Sequence, residues 1–332
     1  MAVRRGTQYS SLAHIFRRAT DPAARWTSPQ FVSGPTSTNR TTKQQHRQQT
    51  RGLHLTSNMS ASKKPDWSPN QYLLFKQARG RAIDDLIAYL ARSLPTAPSR
   101  IIDLGCGPGN STQSLLTQFP SANISGIDSS PAMIDAAKKA LPNLEFSLAD
   151  LSSYNPPISE DQKPALLFSN AVFHWLPSSQ RIPTISRLLR TLNSGGVLAF
   201  QVPDNFNEPS HRAMRETANS PEFASYYKGQ PKPELDPIES AGEYYDALKG
   251  DCAHVEIWQT RYQHVLENHG EIVEWVRGTG LMPFLSRLPD EGGVKEKFAE
   301  EYRKRLAQSY ELLKDGKVML TYPRLFVVAF RR

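Results

Sequence analysis

Short apolar runs alternate with longer amphipathic stretches along most of the chain. Seven of the runs predict strands, at residues 101–104, 124–127, 144–148, 165–168, 197–202, 255–258 and 325–330. The first five alternate with helical stretches, as successive β-α-β units do, so their strands should be parallel and covered by helices on both faces. The pattern predicts an α/β fold whose ligands bind in the loops at the carboxyl ends of the strands.

Helical periodicity also occurs outside these units. Apolar residues between Tyr72 and Leu90 predict a helix that ends before Pro95. More than a hundred residues separate the fifth strand from the last, too many for a simple crossover. Their helical stretches are 244–248, 271–279 and 294–313, the last closed by Gly316. We expect them to form a cap, at about 205–320, over the carboxyl edge of the sheet.

Composition and charge exclude several classes of protein. The 332 residues contain no apolar run long enough to cross a membrane, and two cysteines cannot form a disulfide scaffold. Residues 1–58 hold nine Lys or Arg and one Asp, which accounts for the whole formal charge of +8. The remainder is neutral and lacks the basic stripe of a nucleic-acid-binding surface. Neither cysteine has metal-ligand spacing around it, so no metal site is expected.

Residues 1–58 are rich in Arg, Ser, Thr and Gln and nearly free of acids. This composition is typical of a mitochondrial transit peptide and equally of a plain disordered extension. Met59 offers an alternative start of translation. The expected location is the mitochondrial matrix in the first case and the cytoplasm otherwise, and in both cases 59–332 is predicted to form one domain.

A glycine-rich loop follows the first predicted strand. Its order is Asp103, Leu104, Gly105, Cys106, Gly107, Pro108, Gly109 and Asn110. The glycines allow a ligand to approach the backbone beside the unpaired N–H groups of a helix's first turn. The dinucleotide-binding fingerprint would place its third glycine at position 110, so the loop favours a different ligand.

Polar residues follow the next three strands. Asp128 and Ser129 come after the second strand, where a carboxylate can accept hydrogen bonds from both hydroxyls of a ribose. Asp150 and Leu151 come after the third strand, in position to meet an adenine amino group, and the fourth strand leads to Asn170. Taken alone, Asp128 is also explained as a helix cap and Asp150 as a surface turn. Together they predict a nucleoside-containing cofactor.

This set of motifs resembles that of the class I S-adenosylmethionine-dependent methyltransferases. It consists of Asp103, the glycine-rich loop after it, Asp128 and Asp150. The resemblance implies a Rossmann-like, seven-stranded, mostly parallel sheet with helices on both faces, an N-terminal helical lid and a helical cap. It also implies that S-adenosyl-L-methionine is the cofactor. The residues it assigns to cofactor binding are Asp103, Gly105, Gly107, Gly109, Asp128, Ser129, Asp150, Leu151 and Asn170.

Further stretches resemble one narrower family, the trans-aconitate methyltransferases, over nearly all of residues 66–330. They include Asp66-Trp67-Ser68-Pro69, Gln201-Val202-Pro203-Asp204-Asn205, Tyr244-Tyr245-Asp246 and Tyr322-Pro323-Arg324-Leu325-Phe326. The resemblance implies esterification of one carboxylate of trans-aconitate to its monomethyl ester, as a 2- or 3-methyltransferase. A carboxyl group is already ionised at neutral pH, so alignment, binding and exclusion of water could suffice without a catalytic base.

The other carboxylates of such a substrate need hydrogen-bond donors and cations. The family-matching candidates are Tyr72, Arg79, Arg81, Gln201, Arg215, Tyr262, His264 and Arg324. For each arginine an ordinary ion pair is the alternative, and Arg79 or Arg81 could instead hold the carboxylate of the cofactor. The alternative for the others is an ordinary partner in the core, at Tyr72, Gln201, Tyr262 and His264. His174 stands where glutamine is common in the family, and Met282 where arginine is common. These departures leave open another small carboxylic acid or small-molecule acceptor, or a non-catalytic cofactor-binding protein.

Overall fold

The computed structural model describes residues 76–159 and 162–332, and side chains from residue 80 onward within those ranges. The predictions for residues 1–58 and for Tyr72 lie outside the described residues. The strands are β1 Arg100–Leu104, β2 Asn123–Asp128, β3 Glu145–Leu148, β4 Leu166–Asn170, β5 Val197–Pro203, β6 Cys252–Leu266 and β7 Val318–Arg331.

A helix precedes β1, and helices follow β1, β2 and β4, whereas the described residues between β3 and β4 form no helix, contrary to the predicted alternation. The remaining helices cluster between β5 and β7. In chain order the helices are α1 Lys76–Ser93, α2 Asn110–Gln118, α3 Pro131–Ala140, α4 Ser178–Arg190, α5 Pro209–Ala218, α6 Ala224–Tyr227, α7 Ala241–Leu248, α8 His269–Arg277, α9 Met282–Leu285 and α10 Val294–Ser309, with a short 3-10 helix at Phe173–Trp175. Within the described ranges, no helix has the length and apolar character needed to cross a bilayer.

The strands form one sheet in the order β3-β2-β1-β4-β5-β7-β6. The first five strands are parallel, whereas β7 runs antiparallel to both β5 and β6. Every residue of β5 is buried, because helices cover both faces of a central parallel strand. The predicted seven-stranded, mostly parallel α/β fold is confirmed.

The last two strands are longer than the sequence pattern predicted. Beyond Trp258, the side chains of β6 alternate between exposed and more buried positions. The strand was predicted from an uninterrupted apolar run, and this part of it contains none. The single helix predicted at 294–313 is wrong in its last turn, because α10 ends at Ser309. Leu312 instead forms a β-bridge with Val318, and Gly316, at φ 81°, lies in the turn between them.

The antiparallel pair β6–β7 determines where the cap lies. Because β7 is antiparallel to β5, and Pro203 at the end of β5 pairs with Arg324, residues 318–323 extend past the carboxyl edge of the parallel strands. There Val318 and Leu320 join a core with side chains of α5, α8 and α10. Two further cores lie on opposite faces of the sheet, one with α4 and α7 and one with α1 and α2. The helical cap is therefore built on the β6–β7 pair, above the carboxyl edge. The stretch 244–248, which was expected in the cap, lies in α7 and packs on a face of the sheet instead.

Candidate functional site

The glycine loop turns sharply at the carboxyl end of β1. The N–H groups of Gly105 and Cys106 both donate to the carbonyl of Ile127, at 2.8 and 2.9 Å. Gly105 has φ +73°, and a Cβ built on it would lie 2.3 Å from Cγ2 of Val172. Gly107, at φ +55°, has open space around its Cα, and Gly109 precedes the first turn of α2. Glycine at 105 is thus required by packing as well as by conformation.

Asp103, at the end of β1, holds the glycine loop by hydrogen bonds to the helix that follows it. It is fully buried, and its Oδ2 accepts hydrogen bonds of 2.7 Å from the hydroxyls of Ser111 and Thr112 in the first turn of α2. Burial raises the pKa of the Asp103 carboxyl to about 6. Its side chain does not reach the wall of the cavity described below. The structure therefore shows Asp103 joining β1 to the helix that follows the loop.

Asp128 connects the end of β2 to the same loop. Its Oδ2 accepts a 2.9 Å hydrogen bond from the N–H of Gly107, and its Oδ1 accepts one of 2.9 Å from the N–H of Ser130. Asp128 and Ser129 both line the cavity. Asp150 and Leu151 do not: Asp150 accepts hydrogen bonds from Ser152, and Leu151 is buried in a sheet core.

A cavity of about 620 Å³ extends from the glycine loop to the cap, within the usual size range of ligand pockets. Its wall comprises residues of the loops after β1, β2, β4 and β5, of β7 and of the cap: Gly105, Gly107, Pro108, Asp128, Ser129, Met133, Asn170, Ala171, Val172, His174, Trp175, Gln201, Pro203, Leu235, Trp275, Thr279, Met282, Pro283, Ser286, Arg287, Tyr322 and Arg324. We call it the main cavity.

Three polar side chains are joined along one side of the main cavity. The amide of Gln201 donates to Oδ1 of Asn170, and Nη1 of Arg324 donates to Oε1 of Gln201 at 3.4 Å. Gln201 and Arg324 are both buried, and the Arg324 guanidinium lies 4.9 Å from the ring centre of Tyr322. The structure thus places two predicted substrate residues and one predicted cofactor residue in contact.

A smaller space of about 60 Å³, the side chamber, adjoins the main cavity and shares His174, Trp175, Pro203, Leu235, Thr279 and Tyr322 with it. Arg215 lines the side chamber, with its guanidinium 4.0 Å from the ring centre of Phe206. His211 also lines it, and its Nδ1 lies 3.2 Å from the Ser210 hydroxyl. Burial, with neighbouring Arg215, lowers the pKa of His211 to about 3.

Three predicted substrate residues lie elsewhere. The Tyr262 hydroxyl donates to Asp85 of α1, and the Arg81 guanidinium lies 5.0 Å from the Tyr262 ring centre. The His264 ring is 4.5 Å from that of Trp275. Tyr262 and His264 are two residues apart on β6 and face the same side, so α1 and α8 cover them. Arg79 lies on α1, and its side chain is not among those described.

The sequence prediction missed several residues of the wall, among them Arg287 and His174. Arg287 was missed because it follows α9 without any motif; its guanidinium donates to the carbonyls of Pro231 and Lys232, and within the described ranges no carboxylate pairs with it. His174 was noted only as a departure from a family pattern. Its place directly after the β4 loop was a signal, because such loops line the carboxyl edge of a parallel sheet.

Comparison with known proteins gives three findings. Residues 101–196 match the model of a family described as a methyltransferase domain. The YcgJ protein of Bacillus subtilis, a solved structure, is 13% identical, with a TM-score of 0.47 over 75% of this chain and 98% of that one.

Curated relatives are more similar in sequence. The trans-aconitate 2-methyltransferase of Methylobacterium nodulans is 46% identical over 266 residues, which are 80% of this chain and 98% of the relative. The enzymes of the same name from Variovorax paradoxus and Sinorhizobium fredii are 41% and 43% identical, over 80% of this chain and 99% and 98% of theirs.

Proposed function

The chain belongs to the trans-aconitate 2-methyltransferase family, and from that premise we propose that it transfers a methyl group from S-adenosyl-L-methionine to one carboxylate of trans-aconitate. The products are a monomethyl ester and S-adenosyl-L-homocysteine. One observation carries the proposal. A single cavity joins a glycine loop and Asp128 at one end to Gln201 and Arg324 at the other. We further propose that residues 59–332 form one methyltransferase domain.

The residues around the glycine loop fit the proposed cofactor. Gly107 leaves its backbone open to the main cavity, and the Asp128 carboxylate beside it can accept hydrogen bonds from ribose hydroxyls. When bound, S-adenosyl-L-methionine supplies an electrophilic methyl group on a sulfonium. Asp103 and Gly109 hold the loop in shape, and Asn170 forms the wall toward the acceptor.

Asp150 and Leu151 stay proposed contacts for the adenine. They follow β3, whose last residue, Leu148, pairs with Asp128 at the end of β2. The carboxyl ends of these two strands therefore lie side by side. This arrangement supports a base bound next to a ribose held by Asp128.

The acceptor end of the main cavity combines cations with apolar walls. Arg324 and Arg287 provide guanidinium groups for carboxylates, and Gln201 provides an amide. Trp175 and Met282 provide apolar surface that excludes water. A carboxylate is already a nucleophile at neutral pH, so these residues bind and align it without removing a proton.

Met282 favours one second candidate. It places a thioether in the cavity wall where a cation would bind a third carboxylate, so methylation of another small carboxylic acid is the alternative. Competition with trans-aconitate among small mono-, di- and tricarboxylic acids distinguishes the two. Preference for an acid with fewer carboxylates would favour the alternative.

The test is to incubate the full chain with S-adenosyl-L-methionine and trans-aconitate, and to measure S-adenosyl-L-homocysteine and the mass and fragmentation of the ester. Fragmentation assigns the carboxyl that reacts. R324K should raise KM for the acceptor at least about tenfold, because Lys keeps the charge but loses the planar fork. R303K on the exposed face of α10 is the matched control. Binding of S-adenosyl-L-homocysteine without turnover of any acid would contradict the proposal.

A further inference from the structure

His174 lies where the main cavity and the side chamber meet. It belongs to the 3-10 helix that follows β4, it is 9% exposed, and it lines both spaces. The adjacent Phe173 is fully buried, with its ring centre 5.0 Å from that of Phe200 on β5. Ala171, at φ 57°, turns the chain into this short helix. The core of the sheet therefore fixes the position of His174.

The imidazole of His174 has an unsatisfied nitrogen. Its Nδ1 is buried and has no hydrogen-bond partner among the described residues. The ring lies against Trp175, with 4.9 Å between ring centres. A buried polar atom without a partner costs free energy, so its presence in a ligand cavity needs an explanation. The ring lines the main cavity, so a ligand there that shifts the ring slightly can supply the missing partner.

Of the charged groups that act on His174, Arg324 lines the main cavity with it and favours an anionic ligand there. Burial lowers the pKa of His174 well below that of free imidazole, and Arg324 of β7 lowers it further. Arg181 of α4 and His211 of α5 act in the same direction. Arg181 is itself paired with Glu239 at 3.4 Å. The carboxylates that line the side chamber are Asp204, Glu234 and Asp236.

We propose that His174 binds a carboxylate of the acceptor through Nδ1 and takes up one proton from solvent as that carboxylate binds. The proposal rests on the function proposed above. The neutral ring donates from one nitrogen only, whereas the protonated ring donates from both. Methyl transfer removes one negative charge from the acceptor, so His174 holds this proton less strongly when the ester is bound. The proton returns to solvent as the product leaves.

The test compares the wild type with H174Q in the full chain. Glutamine keeps a hydrogen-bond donor and an acceptor but does not titrate. With S-adenosyl-L-homocysteine bound, trans-aconitate is titrated calorimetrically at pH 6.5 in two buffers of different ionisation enthalpy, which gives the number of protons taken up. The wild type should take up more protons than H174Q, by up to one.

Kinetics provide a second measurement. Between pH 6 and 8, KM of the wild type for trans-aconitate should fall as the pH is lowered, by up to about tenfold per unit, and more steeply than KM of H174Q. H174F should raise KM at every pH, since it removes the hydrogen bond as well. H254Q, at an exposed histidine of β6 beside Glu256, is the matched control and should behave as the wild type.

Equal proton uptake and equal pH profiles in wild type and H174Q would overturn the role of His174. If H174F no longer binds S-adenosyl-L-homocysteine, the role of His174 is decided by the comparison of the wild type with H174Q alone. A wild type that produces no ester would instead contradict the proposed function. The two failures are therefore distinguishable.

Discussion

At the residue scale, two glycines of the loop, Gly105 and Gly107, have different roles. A side chain at Gly105 would collide with Val172, whose Cγ1 and Cγ2 lie 2.6 and 2.3 Å from the built Cβ. A side chain at Gly107 would meet nothing within 4 Å. Access for a ligand therefore explains Gly107, whereas packing against the loop after β4 explains Gly105.

G105A should lower the free energy of unfolding by about 2–4 kcal/mol, since it combines a steric clash with a positive φ. G195A is the matched control, because Gly195 has φ +81° and no atom within 4 Å of its built Cβ. G195A should lower the free energy of unfolding by only about 1–2 kcal/mol. Urea denaturation measures both. Equal losses in the two variants would show that the contact with Val172 is unimportant, and recovery in G105A/V172A would support it.

At the element scale, α4 holds the loop that follows β3. The Arg187 guanidinium donates to the carbonyls of Tyr154, Leu151 and Ser152 and to Oδ1 of Asn155. These contacts fix the segment directly after Asp150. The proposed adenine contacts thus depend on a helix some thirty residues away in sequence.

R187A should raise the Kd for S-adenosyl-L-homocysteine about threefold to tenfold, because the loop after Asp150 loses the donors that order it. Calorimetric titration measures this affinity. R190A lies on the same helix, where Arg190 forms an exposed ion pair with Asp251, and should leave the Kd unchanged. An unchanged Kd in R187A would show that the loop is ordered without Arg187.

At the scale of the whole molecule, β7 connects all three large cores. Val318 and Leu320 lie in the cap core, Val327 in one sheet core and Phe326 in the other. The cap therefore has its own apolar interior but shares a strand with the sheet. Loosening the cap should affect the acceptor end of the main cavity more than the glycine loop.

F298A should destabilise the cap by about 3–5 kcal/mol, because Phe298 is fully buried in the cap core. Hydrogen exchange should rise in α5, α8 and α10 while β1–β5 stay protected. KM for the acceptor should rise more than the Kd for S-adenosyl-L-homocysteine. F119A, in a core of the sheet, is the matched control and should give the opposite pattern of exchange. Uniform exchange in F298A would show that cap and sheet unfold together.

Local pattern in the sequence was sufficient for much of this protein. Periodicity located five parallel strands and the helices that follow β1, β2 and β4, because each buries a face whose spacing repeats every two or 3.6 residues. Motif spacing located the glycine loop and Asp128, which the structure joins by a hydrogen bond. Gln201 and Arg324, two of the predicted substrate residues, line the main cavity.

Only the tertiary structure decided which of the remaining candidates meet. Tyr262 and His264 face α1 and α8 because the register of the long β6–β7 pair fixes the orientation of each side chain, and a shift of one residue would reverse it. His174 and Arg287 line one cavity although they are more than a hundred residues apart. Contacts between distant segments, which no local period encodes, bring these two residues to the same wall.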